Sequence, residues 1–272
     1  MEIRQVWAVY WSATGNSRTV AEAIAGTLAE KLNCLLRVRD ITRPENRAES
    51  LNFAPGDLAV IALPTYAGKL PNKMLPYLKE RLAGNGALAV PVVTFGNRSY
   101  DNALAELAAV LEQNGLRTVA GAAFVCRHAF SDALAPGRPN EEDLRQARDF
   151  AAQAAERVAA LPSPPKPVAV PGDADAPYYV PKGTDGLPAR FLKAKPKTAA
   201  ELCVHCGRCV RLCPMGAIEE DGLCVSGTCI KCQACVRACR AHAKFFDDAA
   251  FLSHVAMLEQ NFTRRKENEL FF

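Results

Sequence analysis

The sequence predicts an α/β chain, a doubly wound five-stranded parallel sheet followed by a small α+β domain. Two observations predict it. Through about residue 160, short apolar strands alternate with helical stripes, the pattern of a parallel sheet covered on both faces. Beyond a Pro-rich stretch, eight of the eleven cysteines fall into two runs of identical spacing, Cys203-x2-Cys206-x2-Cys209-x3-Cys213 and Cys229-x2-Cys232-x2-Cys235-x3-Cys239. The 272 residues suffice for about two domains, each with its own core or a substitute for one.

The first strand covers residues 3–10, where Ile3, Val6, Ala8 and Tyr10 are apolar. A turn, Trp11-Ser12-Ala13-Thr14-Gly15-Asn16-Ser17, leads into a helix with Val20, Ile24, Leu28 and Leu32 on one stripe. Further strands are expected over 35–41, 57–63, 87–95 and 118–125, and helices over 74–82, 102–113 and 142–160. In such a sheet ligands bind at the carboxyl ends of the strands, so the loops there carry the information.

The first turn aims backbone N–H groups and the positive end of a helix at an anion. Neither Gly-x-Gly-x-x-Gly nor Gly-x4-Gly-Lys-Ser/Thr occurs there. An ordinary helix cap by Ser12 or Thr14 would account for the same residues. The turn resembles the flavodoxin phosphate loop, Thr/Ser-x-Thr-Gly-Asn-Thr/Ser, matched by Ser12, Thr14, Gly15, Asn16 and Ser17. After the third strand stands Pro64-Thr65-Tyr66-Ala67-Gly68-Lys69-Leu70-Pro71, and after the fourth Thr94-Phe95-Gly96-Asn97-Arg98-Ser99-Tyr100-Asp101. Both resemble the flavodoxin loops that flank an isoalloxazine ring. The resemblance implies FMN, with Pro64, Thr65, Tyr66, Gly68, Lys69, Thr94, Phe95, Gly96, Asn97, Tyr100 and Asp101 around its ring. Tyr66 and Tyr100 would offer flat faces, and Gly68 and Gly96 would let the backbone come close. Either tyrosine taken alone is more often a rim aromatic.

The doubled cysteine run is the bacterial ferredoxin signature for two 4Fe-4S clusters. Three thiolates two residues apart can grip three irons from one tight loop, while the fourth points away to the other cluster. Cys203, Cys206, Cys209 and Cys239 are thus expected on one cluster, and Cys229, Cys232, Cys235 and Cys213 on the second. Zinc ribbons and disulfides compete for cysteines, but two four-ligand runs fit neither. Cys224 could substitute as a ligand, though a spare thiol is the plainer reading, and Cys34 and Cys126 read as core thiols. His128, His205 and His242 could tune a cluster or relay a proton; single histidines are more often structural.

Between the two halves, Leu161-Pro-Ser-Pro-Pro-Lys-Pro-Val-Ala-Val-Pro171 cannot sustain a helix and is expected to be an extended connector. Tyr178, Tyr179 and Phe191 suggest that it packs on something. Phe251, Val255 and Leu258 mark a last helix, expected to cover the cluster domain. The expected divisions are 1–161 for the FMN domain, 162–197 for the linker, 198–246 for the clusters and 247–272 for a terminal helix and tail. The whole chain resembles the flavodoxin/ferredoxin fusion proteins of anaerobes. It departs from them at Arg240, where a Pro usually follows the last cysteine, and in six Lys/Arg against three Glu/Asp over residues 202–246.

The formal charge of +4 counts ligand cysteines as neutral. Two oxidised clusters at about −2 each and a flavin phosphate at about −2 would bring the holoprotein to about −2. Basic residues are scattered rather than striped, so nucleic acid is not an expected partner. No run of eighteen apolar residues or export signal stands in the sequence, and thiolates available for iron fit a reducing cytoplasm. The family likeness implies a carrier of electrons between two 4Fe-4S clusters and FMN, working with redox partner proteins. The alternative is an FMN-dependent reductase of an organic acceptor, for which Lys69, Arg98 and Asp101 are the candidate groups near the flavin.

Overall fold

The computed structural model describes residues 2–160 and 166–272; the opening of the expected extended connector, 161–165, lies outside the described residues. The elements before it are β1 (Gln5–Tyr10), α1 (Asn16–Lys31), β2 (Leu35–Asp40), β3 (Leu51–Asn52), β4 (Asp57–Pro64), α2 (Leu75–Arg81), β5 (Leu82–Ala83), β6 (Leu88–Phe95), α3 (Ala103–Gln113), β7 (Arg117–Thr118), β8 (Gly121–Val125) and α4 (Glu141–Ala159). After it come β9 (Lys197–Thr198), α5 (Arg208–Leu212), α6 (Ala234–Ala238), β10 (Lys244–Phe245), α7 (Ala249–Asn261) and β11 (Glu269–Phe271).

The main sheet runs β2-β1-β4-β6-β8, every neighbouring pair parallel. This is the flavodoxin-like order, with its topological switch point beside β1. The central strand β4 is covered on both faces, so Leu58 through Leu63 are completely buried. Each of its larger side chains contributes about 1.5–3 kcal/mol by burial. One core lies under α1 and α4, around Val20, Ile24, Leu28 and Phe150, and the other under α2 and α3, around Ile61, Leu63, Leu78 and Leu104. Asn140 and Asp143 form a reciprocal capping box at the start of α4.

Two features differ from the pattern expected from sequence. The stretch expected as one strand, 118–125, breaks into β7 and β8. The connector lies against the break: Val168 N donates to Thr118 O at 2.9 Å, and the Val170 side chain sits over Gly121, whose missing Cβ would lie 3.2 Å from it. The sheet also gains a sixth strand in its main path, β11, antiparallel to β8. Leu270 packs into one core and Phe271 into the other, the two-residue alternation of a strand between two layers.

The described part of the connector is fastened along its length. Lys69 Nζ donates to Ala174 O and Ala176 O at 2.7 and 2.8 Å, Tyr178 Oη to Leu70 O at 2.8 Å, and Tyr179 N to Ala67 O at 2.8 Å. Further on, Phe191 stacks on His254 with ring centres 5.3 Å apart. Helix α7, expected as a cover for the cluster domain, meets it at Phe246 and meets two further elements as well. Its Phe251 meets Phe191 of the connector, Phe130 of the loop after β8 and Phe246 beside β10.

Candidate functional site

The turn between β1 and α1 ends on Gly15, which starts the helix at φ 95°, a conformation that favours glycine. Among the described residues the backbone N–H groups of Thr14, Gly15, Asn16 and Ser17 meet no protein acceptor. Together with the helix dipole they make an open anion cradle. Ser12 does act as a local cap, its Oγ accepting from Arg18 N at 3.1 Å. Ser17 Oγ pairs with Thr94 Oγ1 at 2.8 Å and so ties the cradle to the end of β6, while Asn16 Nδ2 donates to Arg127 O at 3.1 Å.

The loop after β4 follows Pro64, the last residue of that strand, and is joined to β6 by Thr65 N donating to Thr94 O at 2.7 Å. Tyr66 and Lys69 close a tight turn through two backbone bonds of 2.8 and 3.1 Å. The Tyr66 ring stands edge-on to Trp11, centres 5.8 Å apart. Two buried donors here have no partner among the described residues, Trp11 Nε1 and Thr65 Oγ1. Such orphaned groups and the open cradle are what a phosphate-bearing flavin would satisfy.

Other candidate side chains are taken up by protein. A Cβ at Gly68 would lie 2.3 Å from Asp101 Oδ2, and one at Gly96 would lie 2.2 Å from the His128 ring. The close approaches these glycines permit are therefore loop to loop. Lys69 pairs with Glu106, Asp101 with Arg98, and the Arg98 guanidinium lies 4.1 Å above the Tyr179 ring. Asn97 donates to Phe262 O and Arg264 O and accepts from Lys266 N, all in the segment leading to β11. Tyr100 packs on Phe95 with ring centres 5.3 Å apart and donates to Glu269 at 2.6 Å. Burial first, then that carboxylate, pushes its phenol upward. The sequence could not assign the partners of Asn97 and Tyr100, because they lie 165 to 169 residues away along the chain.

The cysteine segment is internally repeated in its backbone. His205 and Lys231 occupy equivalent positions at φ 50° and 58°, Gly207 and Gln233 at 66° and 65°, Gly216 and His242 at 57° and 52°. Left-handed conformations at non-glycine residues carry strain, and they cluster where a site over-determines them. Here they curl each run around a centre. Cys203, Cys206, Cys209 and Cys239 line one cavity of about 300 Å³, and Cys213, Cys229, Cys232 and Cys235 line a second, tighter hollow. The fourth cysteine of each run thus joins the first three of the other. Backbone N–H groups point at sulfur in matching places, Ala217 N to Cys213 Sγ and Ala243 N to Cys239 Sγ at 3.3 Å each. Among the described residues no three His, Cys, Asp or Glu side chains close on a single point as ligands of one ion would. Cys224 is exposed and lines neither hollow; Cys126 is buried and Cys34 half-buried, both in the sheet domain.

The tighter hollow faces the loops of the sheet domain. Tyr66, Ile230, Cys232 and Ala234 share one apolar cluster with Trp11. Tyr66 is pushed well above an ordinary phenol by burial, and then by the Cys232 and Cys229 thiolates beside it. Arg47 Nη2 donates to Pro214 O at 2.9 Å. Arg237, between Cys235 and Cys239, donates to Ala129 O and His128 O at 3.0 and 3.2 Å and pairs with Asp132. His128 Nδ1 accepts from Phe130 N at 3.1 Å, and burial, followed by His254, Arg237 and Arg98, pushes the ring down to about 4. Sequence reasoning missed Arg237 and Arg47 as joining groups; a charged residue inside a ligand run was the available signal for the first.

Residues 197–219 match one family described as 4Fe-4S binding domain, and residues 226–242 match a second of the same description. No curated protein matches the chain. Among solved structures, a flavodoxin from the domain Archaea is 18% identical at a TM-score of 0.42, covering 57% of this chain and 99% of that one. Oxidised flavodoxin 2 from Bacillus cereus is 16% identical at 0.40, covering 57% and 99%. Rubredoxin oxygen:oxidoreductase from the anaerobe Desulfovibrio gigas is 15% identical at 0.37, covering 58% and 37%. Among the described residues no helix is long and apolar enough to cross a membrane. By its own sheet order and its two 4Fe-4S binding segments, the chain is a fusion of a flavodoxin-like domain with a ferredoxin-like one.

Proposed function

We propose that the protein transfers electrons within one chain, between two 4Fe-4S clusters and a bound FMN. Cys203, Cys206, Cys209 and Cys239 hold the first cluster, and Cys213, Cys229, Cys232 and Cys235 the second. Backbone N–H groups from Thr14 to Ser17 take the FMN phosphate, with the loops from Pro64 to Lys69 and Thr94 to Asp101 beside its ring. The cofactors supply the redox chemistry, clusters passing single electrons and FMN accepting two with two protons, so two cluster oxidations balance one full flavin reduction.

The observation that carries this reading is the packing of Tyr66, from the first ring loop, into one apolar cluster with Cys232 and Ile230. Arg237 and Arg47 hold the two halves in that register, and the fastened connector keeps it. The engaged state of Lys69, Arg98 and Asp101 weighs against the reductase alternative, since none is left free as an acid or substrate anchor.

The test follows flavin absorbance after the clusters are reduced in a single chain, at several protein concentrations. A rate independent of concentration supports transfer within the chain. A rate proportional to concentration would mean that the fused halves serve separate partners.

A further inference from the structure

The two cysteine hollows differ in what covers them. Cys232 and Cys235 are buried, and the segment that forms their hollow packs on the sheet domain through Tyr66, Arg47 and Arg237. The other hollow opens outward. Cys206 is exposed on its wall, Val204 is 71% exposed and Leu202 50%. Arg208, Arg211 and Arg240 line the rim, and none of the three forms an ion pair among the described residues. Asp221 is the one acid lining the hollow; Glu201, Glu219 and Glu220 are exposed nearby.

We propose that this outward face, around Cys206 with Val204, Arg208, Arg211 and Arg240, is where a separate acidic one-electron carrier protein docks. An apolar centre ringed by unpaired arginines is the composition of a transient interface. Arginine and apolar contact provide the footing, and a charged rim governs the rate of encounter. The cluster held there carries net negative charge, so the guanidinium groups offset it and leave an acidic partner a positive rim to meet. Electrons enter or leave the chain here one at a time, each lost by one carrier and gained by the other, while the covered hollow exchanges with the flavin loops. This rests on the proposed relay for its second leg only.

The experiment uses the holoprotein and a small bacterial ferredoxin of strongly acidic composition. Calorimetry gives the Kd, and stopped-flow the second-order rate of cluster reduction. Arg208→Glu with Arg240→Glu, in protein of unchanged iron content, is expected to weaken Kd and slow the second-order rate about ten-fold or more. Val204→Glu gives a second variant that leaves the arginines in place, and it is expected to weaken Kd as well. Raising salt to about 0.3 M is expected to weaken binding to the wild type and to have little effect on the double variant.

An unchanged Kd in both variants overturns the proposal, as does equal affinity for a strongly basic carrier protein. Arginine-dependent binding to vesicles of anionic phospholipid, or self-association through this face, would overturn it in favour of a lipid surface or a second copy. Transfer from clusters to flavin within the chain is measured in the same variants. Its loss in wild type with docking intact would remove the relay and leave the face standing; unchanged docking in the variants with transfer intact would remove the face alone.

Discussion

Lys69 Nζ and Glu106 Oε1 meet at 3.1 Å with both side chains less than a tenth exposed, and the same ammonium holds two carbonyls of the connector. Glu106 in turn accepts from Leu70 N at 2.7 Å. Lys69→Met would strand a buried carboxylate and is expected to cost about 3–5 kcal/mol, whereas Lys69→Met with Glu106→Gln should cost less than the sum of the single changes. Denaturant titration of the four proteins measures the coupling. Limited proteolysis near residues 174–176 should speed up only where Lys69 is lost.

Thr14 stands in the open cradle with no protein partner for its side chain among the described residues. Thr14→Ala is expected to weaken FMN binding by about 1–3 kcal/mol, through loss of a bond to a charged group. Fluorescence titration of apoprotein with FMN and with riboflavin checks it: the loss should be large for FMN and small for riboflavin.

Arg237 bridges the cysteine segment to the loop after β8 through two carbonyls and Asp132. Arg237→Ala is expected to keep iron content and to cost about 1–3 kcal/mol in stability. It should also slow the concentration-independent reduction of the flavin, because the register between the halves loosens. Normal transfer in a destabilised variant would limit Arg237 to a structural role.

His128 is held at about 4 when folded, against about 6.5 for an unfolded histidine. The unfolded chain therefore takes up the proton first as pH falls. The stability linked to neutral His128 is complete above pH 6.5 and declines as the pH drops towards 4. Between pH 7 and about 5.5 the decline should be about 1 kcal/mol. Denaturant titration at the two pH values should give this difference in the wild type and a smaller one in His128→Gln. Nitrogen NMR should find a neutral ring with Nδ1 unprotonated, since that atom accepts from Phe130 N.

Asn268 accepts from Val125 N at 2.9 Å and donates to Asp143 and Gln146, so the segment before β11 is tied to both β8 and α4. Removal of residues 262–272 is expected to bare the edge of β8 and to leave the buried Asn97 amide without its partners. Size-exclusion chromatography should show association that grows with concentration. Asn268→Ala in the full chain should cost stability without association.

The alternation of strand and helix was plain in the sequence because burial on both faces of β4 and β6 demands unbroken apolar runs. The cysteine runs were plain because spacing alone decides which thiolates share a loop. Side-chain roles in the flavin loops were harder. Tyr100 and Lys69 look the same locally whichever groups they meet, and their protein partners Glu269 and Glu106 lie far along the chain. Strand β11 was missed because three residues give too short a period to distinguish from a tail, and its partner lies more than a hundred residues earlier.

That strand sets an order of assembly. The sheet of the first half is completed by residues that follow the cysteine segment in the chain, so on the ribosome that sheet waits for residues made after the cysteines. Until residues 262–271 have emerged, the β8 edge and the Asn97 loop are without their covers. A chain truncated within the cysteine segment presents an unfinished sheet edge that chaperones and proteases can recognise.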